Sequence, residues 1–240
     1  MKFFATTALL ALTACANAWA AAPQDTIRKV LAERIPQLAQ IDEIQPTAMK
    51  GLYEVRVGTD VFYSDAQGNY LIQGELIDTQ ARRNVTEDRI KALTAIQFDK
   101  LPLQDAITVV QGKGERHLAV FADPNCGYCK RFERDLQKVD NVTVHLFLYP
   151  ILSPDSAEKS HNIWCAKHPA SAWQNYMLKD EKPAAASCNS DAIGRNLALG
   201  RQHKITGTPT VIFADGTRVP GAIGTAEIEK RLQAASLAKK

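Results

Sequence analysis

The sequence predicts a protein of mixed α+β and α/β class in two parts, a small N-terminal α+β module and a larger α/β domain carrying a helical insertion. Three observations predict this. The hydrophobic period changes from helical to alternating within the first 75 residues. A Cys-x-x-Cys pair directly follows a short apolar run at His117 to Ala122. Further on, Gly207-Thr208-Pro209 opens another apolar run, followed by a turn and a closing helix.

The chain has 240 residues, enough for two small domains. Its 45% hydrophobic and 23% charged content is ordinary for a globular protein. The net charge is only +3, Lys2 included, so no nucleic-acid partner is expected. The first twenty residues differ in kind. Met1-Lys2 is positive, Phe3 to Ala14 is apolar or small, and Ala18-Trp19-Ala20 offers a small-x-small cleavage site. This is the layout of a secretory signal peptide, too short to span a membrane. Leu12-Thr13-Ala14-Cys15 also reads as a lipoprotein processing site, with Cys15 lipidated, and retention as an anchor is a third reading. All three export the folded part. No later run reaches roughly 18 uninterrupted apolar residues, so a soluble mature chain is expected.

The module from residue 21 to 81 opens with a helix to about residue 40. Ile27, Val30, Leu31, Ile35 and Leu38 recur at helical spacing, and Asp25 is the expected N-cap. Leu52 to Val57 alternates as a half-buried strand does. Val61 to Ser64, the turn Asp65 to Asn69 and Tyr70 to Ile72 complete a hairpin. So small a unit buries a thin core and is expected to dimerise. Residues 82–100 start charged and then place Ile90, Leu93 and Ile96 at helical spacing, predicting a linker helix. The alternative is an exposed helix of one continuous domain.

The second domain covers 101–240. His117 to Ala122 and Val142 to Leu148 read as buried strands, separated by a helix starting at Cys126. Residues 153–203 suit a helical insertion. Pro209 to Phe213, a turn at Asp215-Gly216-Thr217, Arg218-Val219 and a helix from about Thr225 to Leu237 end the chain. That order is the order of a thioredoxin-like domain with a helical insert.

Leaving Cys15 with the signal, four cysteines remain: Cys126, Cys129, Cys165 and Cys188. An even number in an exported chain points to disulfides, and four cysteines allow three pairings. Spacing and chemistry favour 126–129 and 165–188. A cysteine at a helix start meets unpaired N–H groups and about half a positive charge, which stabilise its thiolate. In such sites the pKa falls from about 8.5 to roughly 3.5–7.5. Cys126 is therefore the expected nucleophile. Cys129, one turn on, is expected to stay a buried thiol that resolves mixed disulfides, with Gly127 and Tyr128 tuning the pair. Half a zinc site is the competing reading, with His161 as the one further tempting ligand, and a purely structural CxxC is another. No metal or cofactor is expected. Thr208-Pro209 is expected to be cis, because X-Pro bonds alone take that form cheaply. In thioredoxin-like folds such a proline faces the CxxC and leaves the preceding backbone free to bind an extended substrate. Cys165–Cys188 is expected as a structural disulfide, worth roughly 3 kcal/mol in the chain-entropy model. A second redox pair is the alternative. His117, Lys130 and Arg131 read as surface residues or modest tuners of the site, Trp164 and Trp173 as packing.

These pieces resemble the periplasmic disulfide isomerases of the DsbC/DsbG family. The likeness is carried by the signal, Asp65 to Asn69, Ile72-Gln73-Gly74, the linker, Phe121 to Cys129 (FADPNCGYC) and Gly207-Thr208-Pro209. It covers essentially the whole mature chain. CGYC, where DsbG-like proteins more often carry CPYC, favours the DsbC branch. The resemblance implies a periplasmic homodimer with a cystatin-like dimerisation module, misoxidised or unfolded exported proteins as substrates, and a membrane reductant of the DsbD type. It also implies isomerase activity with an associated chaperone role. A dithiol oxidase or reductase and a redox-independent holdase are the rivals. One departure stands out. Thioredoxins bury an Asp six residues before the first active-site Cys. Val120 holds that place here and the nearest acid, Asp123, falls in the loop. No buried carboxylate is therefore evident to take the proton from Cys129.

Overall fold

The computed structural model describes residues 22–238, so the signal call, with Cys15 and Ala20, lies outside the described residues. The chain forms two compact units that divide between Thr86 and Glu87.

In the first unit, α1 runs Pro23–Arg34. Its N-cap is Ala22, not Asp25. Pro23 takes the first helical position, where a missing N–H costs nothing, and Asp25 lies in the first turn. Ile27 and Leu31 on one face of α1 pack with Leu38, Ile41 and Val55. The sheet beneath is an antiparallel meander of β1 (Glu43–Pro46), β2 (Leu52–Val57), β3 (Asp60–Asp65) and β4 (Leu71–Ile72). β1 is not evident from the alternation alone. After β3, Asp65 Oδ1 accepts from the backbone of Asn69 and Tyr70 at 2.7 and 2.9 Å, closing the expected turn. Gly68 there has φ +70°, and a Cβ would come within 3.1 Å of Val30. β5 (Ile77–Asp78) and β6 (Arg83–Asn84) form a separate two-stranded ribbon. The helix expected over 82–100 is α2, only Val85–Thr94. It is shortened at its start by β6, and after it Phe98–Lys100 forms a 3-10 turn.

In the second unit, Ile96 N donates to Gly216 O at 3.0 Å. Ile96, Phe98 and Leu101 are buried in its core. The strands β7 (Ile107–Gln111), β8 (Arg116–Ala122), β9 (Val142–Leu148), β10 (Thr210–Phe213) and β11 (Arg218–Pro220) form one sheet in the order β11-β10-β8-β9-β7. Only β8 and β9 run parallel. Their right to be almost wholly apolar comes from being covered on both faces. Leu118, Val120, Leu146 and Leu148 pack on one side with Phe132, Leu136, Ile228 and Leu232. Ala119, Phe121, Phe147 and Tyr149 pack on the other with Ile205 and Ile212. Edge strand β7 carries exposed Val110 and breaks the alternation, which hides it from a periodicity reading. The helices are α3 (Gly127–Leu136) between β8 and β9, then α4 (Pro154–Trp164), α5 (Pro169–Lys179) and α6 (Asp191–Gln202) as the insertion, and α7 (Thr225–Ala238).

Buried Tyr149 donates its hydroxyl to Ile205 O at 2.9 Å and packs against Gly200 of α6. A Cβ at Gly200 would stand 2.3 Å from the ring. Gly200→Ala should therefore destabilise the protein by about 1–3 kcal/mol, the usual cost of overpacking. Thermal unfolding should show a Tm several degrees lower, and an unchanged Tm would contradict this packing.

Candidate active site

β8 delivers the chain to Asp123-Pro124-Asn125, and α3 begins immediately after. Cys126 is the N-cap of α3, with φ −80° and ψ 115°. Its Sγ accepts a hydrogen bond from Cys129 N at 3.3 Å, so a sulfur does the work that a Ser or Asp oxygen usually does at this position. The second approach comes from far along the chain. β10 pairs antiparallel with β8, Thr210 opposite Phe121, which brings the residues before β10 to the end of β8. The Thr208-Pro209 peptide is cis. The Cys126 thiol donates to Thr208 O at 3.2 Å. The Thr208 hydroxyl is buried with no partner, which leaves it available to a sulfur that takes up charge.

This geometry splits the two thiols. Cys126 is lowered to about 6. The Cys129 side chain donating to the Cys126 sulfur is the largest cause. Burial opposes it, and the Thr208 hydroxyl and the backbone N–H groups of Cys129 and Tyr128 add to it. Cys129 is pushed far up, first by burial and then by the neighbouring Cys126 sulfur. At pH 7 Cys126 is mostly thiolate while Cys129 keeps its proton. Both are free thiols. Gly127 and Tyr128 between them are exposed, Tyr128 by 66%.

Cys165 and Cys188 are joined, with Sγ–Sγ 2.00 Å and Cα–Cα 5.4 Å. The bond ties the end of α4 to the irregular segment before α6. His161 lies one turn before Cys165, its Nε2 3.9 Å from the sulfur, and is held by Ser190 and Ala186. Among the described residues no group of three His, Cys, Asp or Glu side chains is placed to hold a metal.

Asp123, which the sequence places as a loop acid, is a buried carboxylate beside the motif. It is fully buried. Its Oδ1 accepts from Asn125 N at 2.8 Å, and its Oδ2 accepts from Ile151 N and Leu152 N at 2.9 and 3.0 Å. Loop position misled the reading, because a carboxylate that caps three backbone N–H groups is buried by the loops it joins. Glu133 on α3 is a second buried carboxylate. Burial raises its pKa, and it accepts from Trp173 Nε1 at 3.1 Å. His117 is not at the site. It stacks on His145 at the far end of β8 from the cysteines. Lys130 pairs with Asp180 and lies over the Tyr176 ring, 4.7 Å from its centre. Arg131 is exposed. Trp173 is buried, and Trp164 donates to Asn189 O.

With this geometry in view, the chain can be compared with known proteins. Residues 18–87 match the disulfide bond isomerase protein N-terminal domain, and residues 103–236 match a thioredoxin-like domain. A thiol:disulfide interchange protein DsbC of Escherichia coli (strain K12) is 31% identical over 227 residues, covering 91% of this chain and 89% of that protein. This chain belongs to the DsbC family. A probable thiol:disulfide interchange protein DsbC of Bordetella parapertussis is 48% identical over 182 residues, 76% of this chain, and that match spans 65% of the Bordetella protein's length. The crystal structure of a disulfide interchange protein from Neisseria gonorrhoeae superposes with a TM-score of 0.54 at 36% identity, covering 56% of this chain and 98% of that one. Family membership accounts for both units, the N-terminal meander and the thioredoxin-like domain.

A depressed thiol pKa links to stability with a definite sign. The folded value near 6 lies below the roughly 8.5 of an unfolded cysteine, so ionisation favours the fold. That contribution is complete above about 8.5 and is lost as pH falls through 6. Reduced wild-type protein should gain stability over Cys126→Ser between these pH values, as read by denaturant unfolding. Thr208→Val should raise the Cys126 midpoint by about half a pH unit, as read by thiolate ultraviolet absorbance. A flat stability difference, or an unmoved midpoint, would contradict these assignments.

Proposed function

We propose that this chain is an exported thiol:disulfide isomerase whose nucleophile is Cys126. The split between the two thiols carries the reading. The Cys126 thiolate attacks one sulfur of a wrong substrate disulfide, forming a mixed disulfide and expelling a substrate thiolate. A substrate thiolate then attacks the substrate sulfur of that mixed disulfide, forming the rearranged substrate disulfide and expelling the Cys126 thiolate, so the enzyme leaves reduced. Escape through Cys129 requires Cys129 to lose its proton. Its raised pKa slows that exit and gives the mixed disulfide time to rearrange. A fast reductase would need the opposite. Thr208 and Pro209 serve as the substrate-chain docking edge, and Cys165–Cys188 as a structural brace of the insertion.

The N-terminal unit supports a homodimer. Its core is small, and Met49, Tyr70, Ile72 and Ile77 are exposed by about half or more. The same apolar side chains suit a chaperone role toward unfolded exported chains. The periplasm, signal cleavage near Ala20 or lipidation at Cys15, and reduction by a membrane partner of the DsbD type complete the reading. Among the described residues no helix is long and apolar enough to cross a membrane.

Refolding of a scrambled multi-disulfide protein in glutathione buffer tests the activity. Wild type should recover native substrate quickly, and Cys126→Ser should lose at least about a hundredfold in rate, as expected for removal of a nucleophile. Cys129→Ser should keep partial activity while trapping substrate as a mixed disulfide. Rapid oxidation of reduced substrate with no reshuffling would replace the isomerase by an oxidase. Sedimentation of the mature chain should give a dimer, and a monomer at micromolar concentration would remove that assignment.

A further inference from the structure

The Cys126 sulfur lies against the Cys129 N–H at 3.3 Å, and its neighbour Asn125 is unusually well held. The Asn125 Nδ2 donates to Ser153 Oγ at 3.1 Å and to Asp155 Oδ2 at 2.6 Å. Its Oδ1 accepts from Lys159 Nζ at 2.8 Å and from the Tyr176 hydroxyl at 3.2 Å. Two donor hydrogens and two acceptor lone pairs are all an amide has, and all four are engaged. The backbone N–H of the same residue is bound to Asp123.

The partners belong to the helical insertion. Ser153 is the N-cap of α4, its Oγ already accepting from Ser156 N. Lys159, one turn further along α4, also pairs with Asp155. Tyr176 is a buried residue of α5, and the ammonium groups of Lys130 and Lys159 lie 4.7 and 5.2 Å from its ring centre. These cation–ring contacts hold both lysines against α5. One side chain thus fastens the nucleophile's loop to two helices of the insertion.

We infer that Asn125 is a positioning residue for Cys126, and that the insertion acts through it to keep the nucleophile's sulfur at the start of α3. The inference rests on Cys126 being the nucleophile. The Sγ···H–N contact of 3.3 Å tolerates little displacement, and its geometry is set by the backbone of the residue that Asn125 precedes. A loosened loop makes that bond for a smaller share of the time, so the sulfur loses preference for its charged form. Loss of the anchor also costs stability, as loss of any buried network does, and stability alone therefore does not test the idea.

The test is thiolate titration of the full reduced chain, with alkylation rate as a second readout. In Asn125→Ala the Cys126 midpoint should rise by about half to one pH unit, and alkylation at pH 6 should slow about two- to fivefold while the rate at pH 9 is kept. Tyr176→Phe removes one of the four bonds and keeps the ring, so it should move the midpoint the same way by less. It decides the matter if Asn125→Ala does not fold. Lys159→Met should also raise the midpoint, and Lys159→Arg should restore it. Arg195→Ala breaks the Asp105–Arg195 pair elsewhere in the domain and should lower Tm without moving the midpoint. Midpoints within about 0.2 units of wild type in both Asn125→Ala and Tyr176→Phe would overturn the inference. Titration needs no substrate. A shifted midpoint in a protein that does not reshuffle disulfides would sink the isomerase reading and leave the role of Asn125 standing.

Discussion

The constraint on which this site depends is the placing of the Cys126 sulfur at the start of α3, within reach of both the Cys129 thiol and the Cys129 N–H. A helix start has N–H groups with no partner in the helix, and the structure gives one of them a sulfur. With the sulfur there, the Cys129 thiol and N–H both favour negative charge on Cys126, and the N–H contact caps the helix as well. Everything around it serves to keep the sulfur there. β8 ends at the right place, Asp123 gathers three backbone N–H groups from two loops, and β10 brings Thr208 to the other side of the sulfur.

The same arrangement makes two chemically similar thiols opposites. Cys126 is stabilised as an anion by donors arriving from α3 and from Thr208. Cys129 lies deeper, where desolvation and a neighbouring sulfur anion both favour its proton. A CxxC can serve oxidation, reduction or isomerisation, and the balance among these lies in how long a mixed disulfide survives before the second thiol resolves it. In the proposed mechanism, burial of Cys129 lengthens that survival. The insertion contributes at a distance, through an Asn125 amide with every hydrogen-bonding position filled.

The N-terminal unit works under a different constraint. A single helix over a four-stranded meander hides few side chains, and the exposed apolar residues on its surface are those a larger domain would have covered. In the proposed homodimer, pairing with a second copy buries them.

Much of this was legible in the residues themselves. Period and punctuation located α1, β2, the β3–β4 hairpin, β8, β9, β10 and α7. The helix-start cysteine and the Gly-Thr-Pro motif singled out Cys126, Cys129, Thr208 and Pro209. Those signals are local, carried by residues within a few positions of one another. What sequence alone left open depends on residues far apart along the chain. β1 and β7 are strands only because neighbours pair with them. Asp123 looked like a loop acid and is buried because Ile151 and Leu152 bring their N–H groups to it. Asn125 is a hub because Ser153, Asp155, Lys159 and Tyr176 converge on it. Hydrophobic pattern and motif spacing determine which chemistry a chain carries. Which proton each group keeps is decided by burial and partners, and those come only from the tertiary structure.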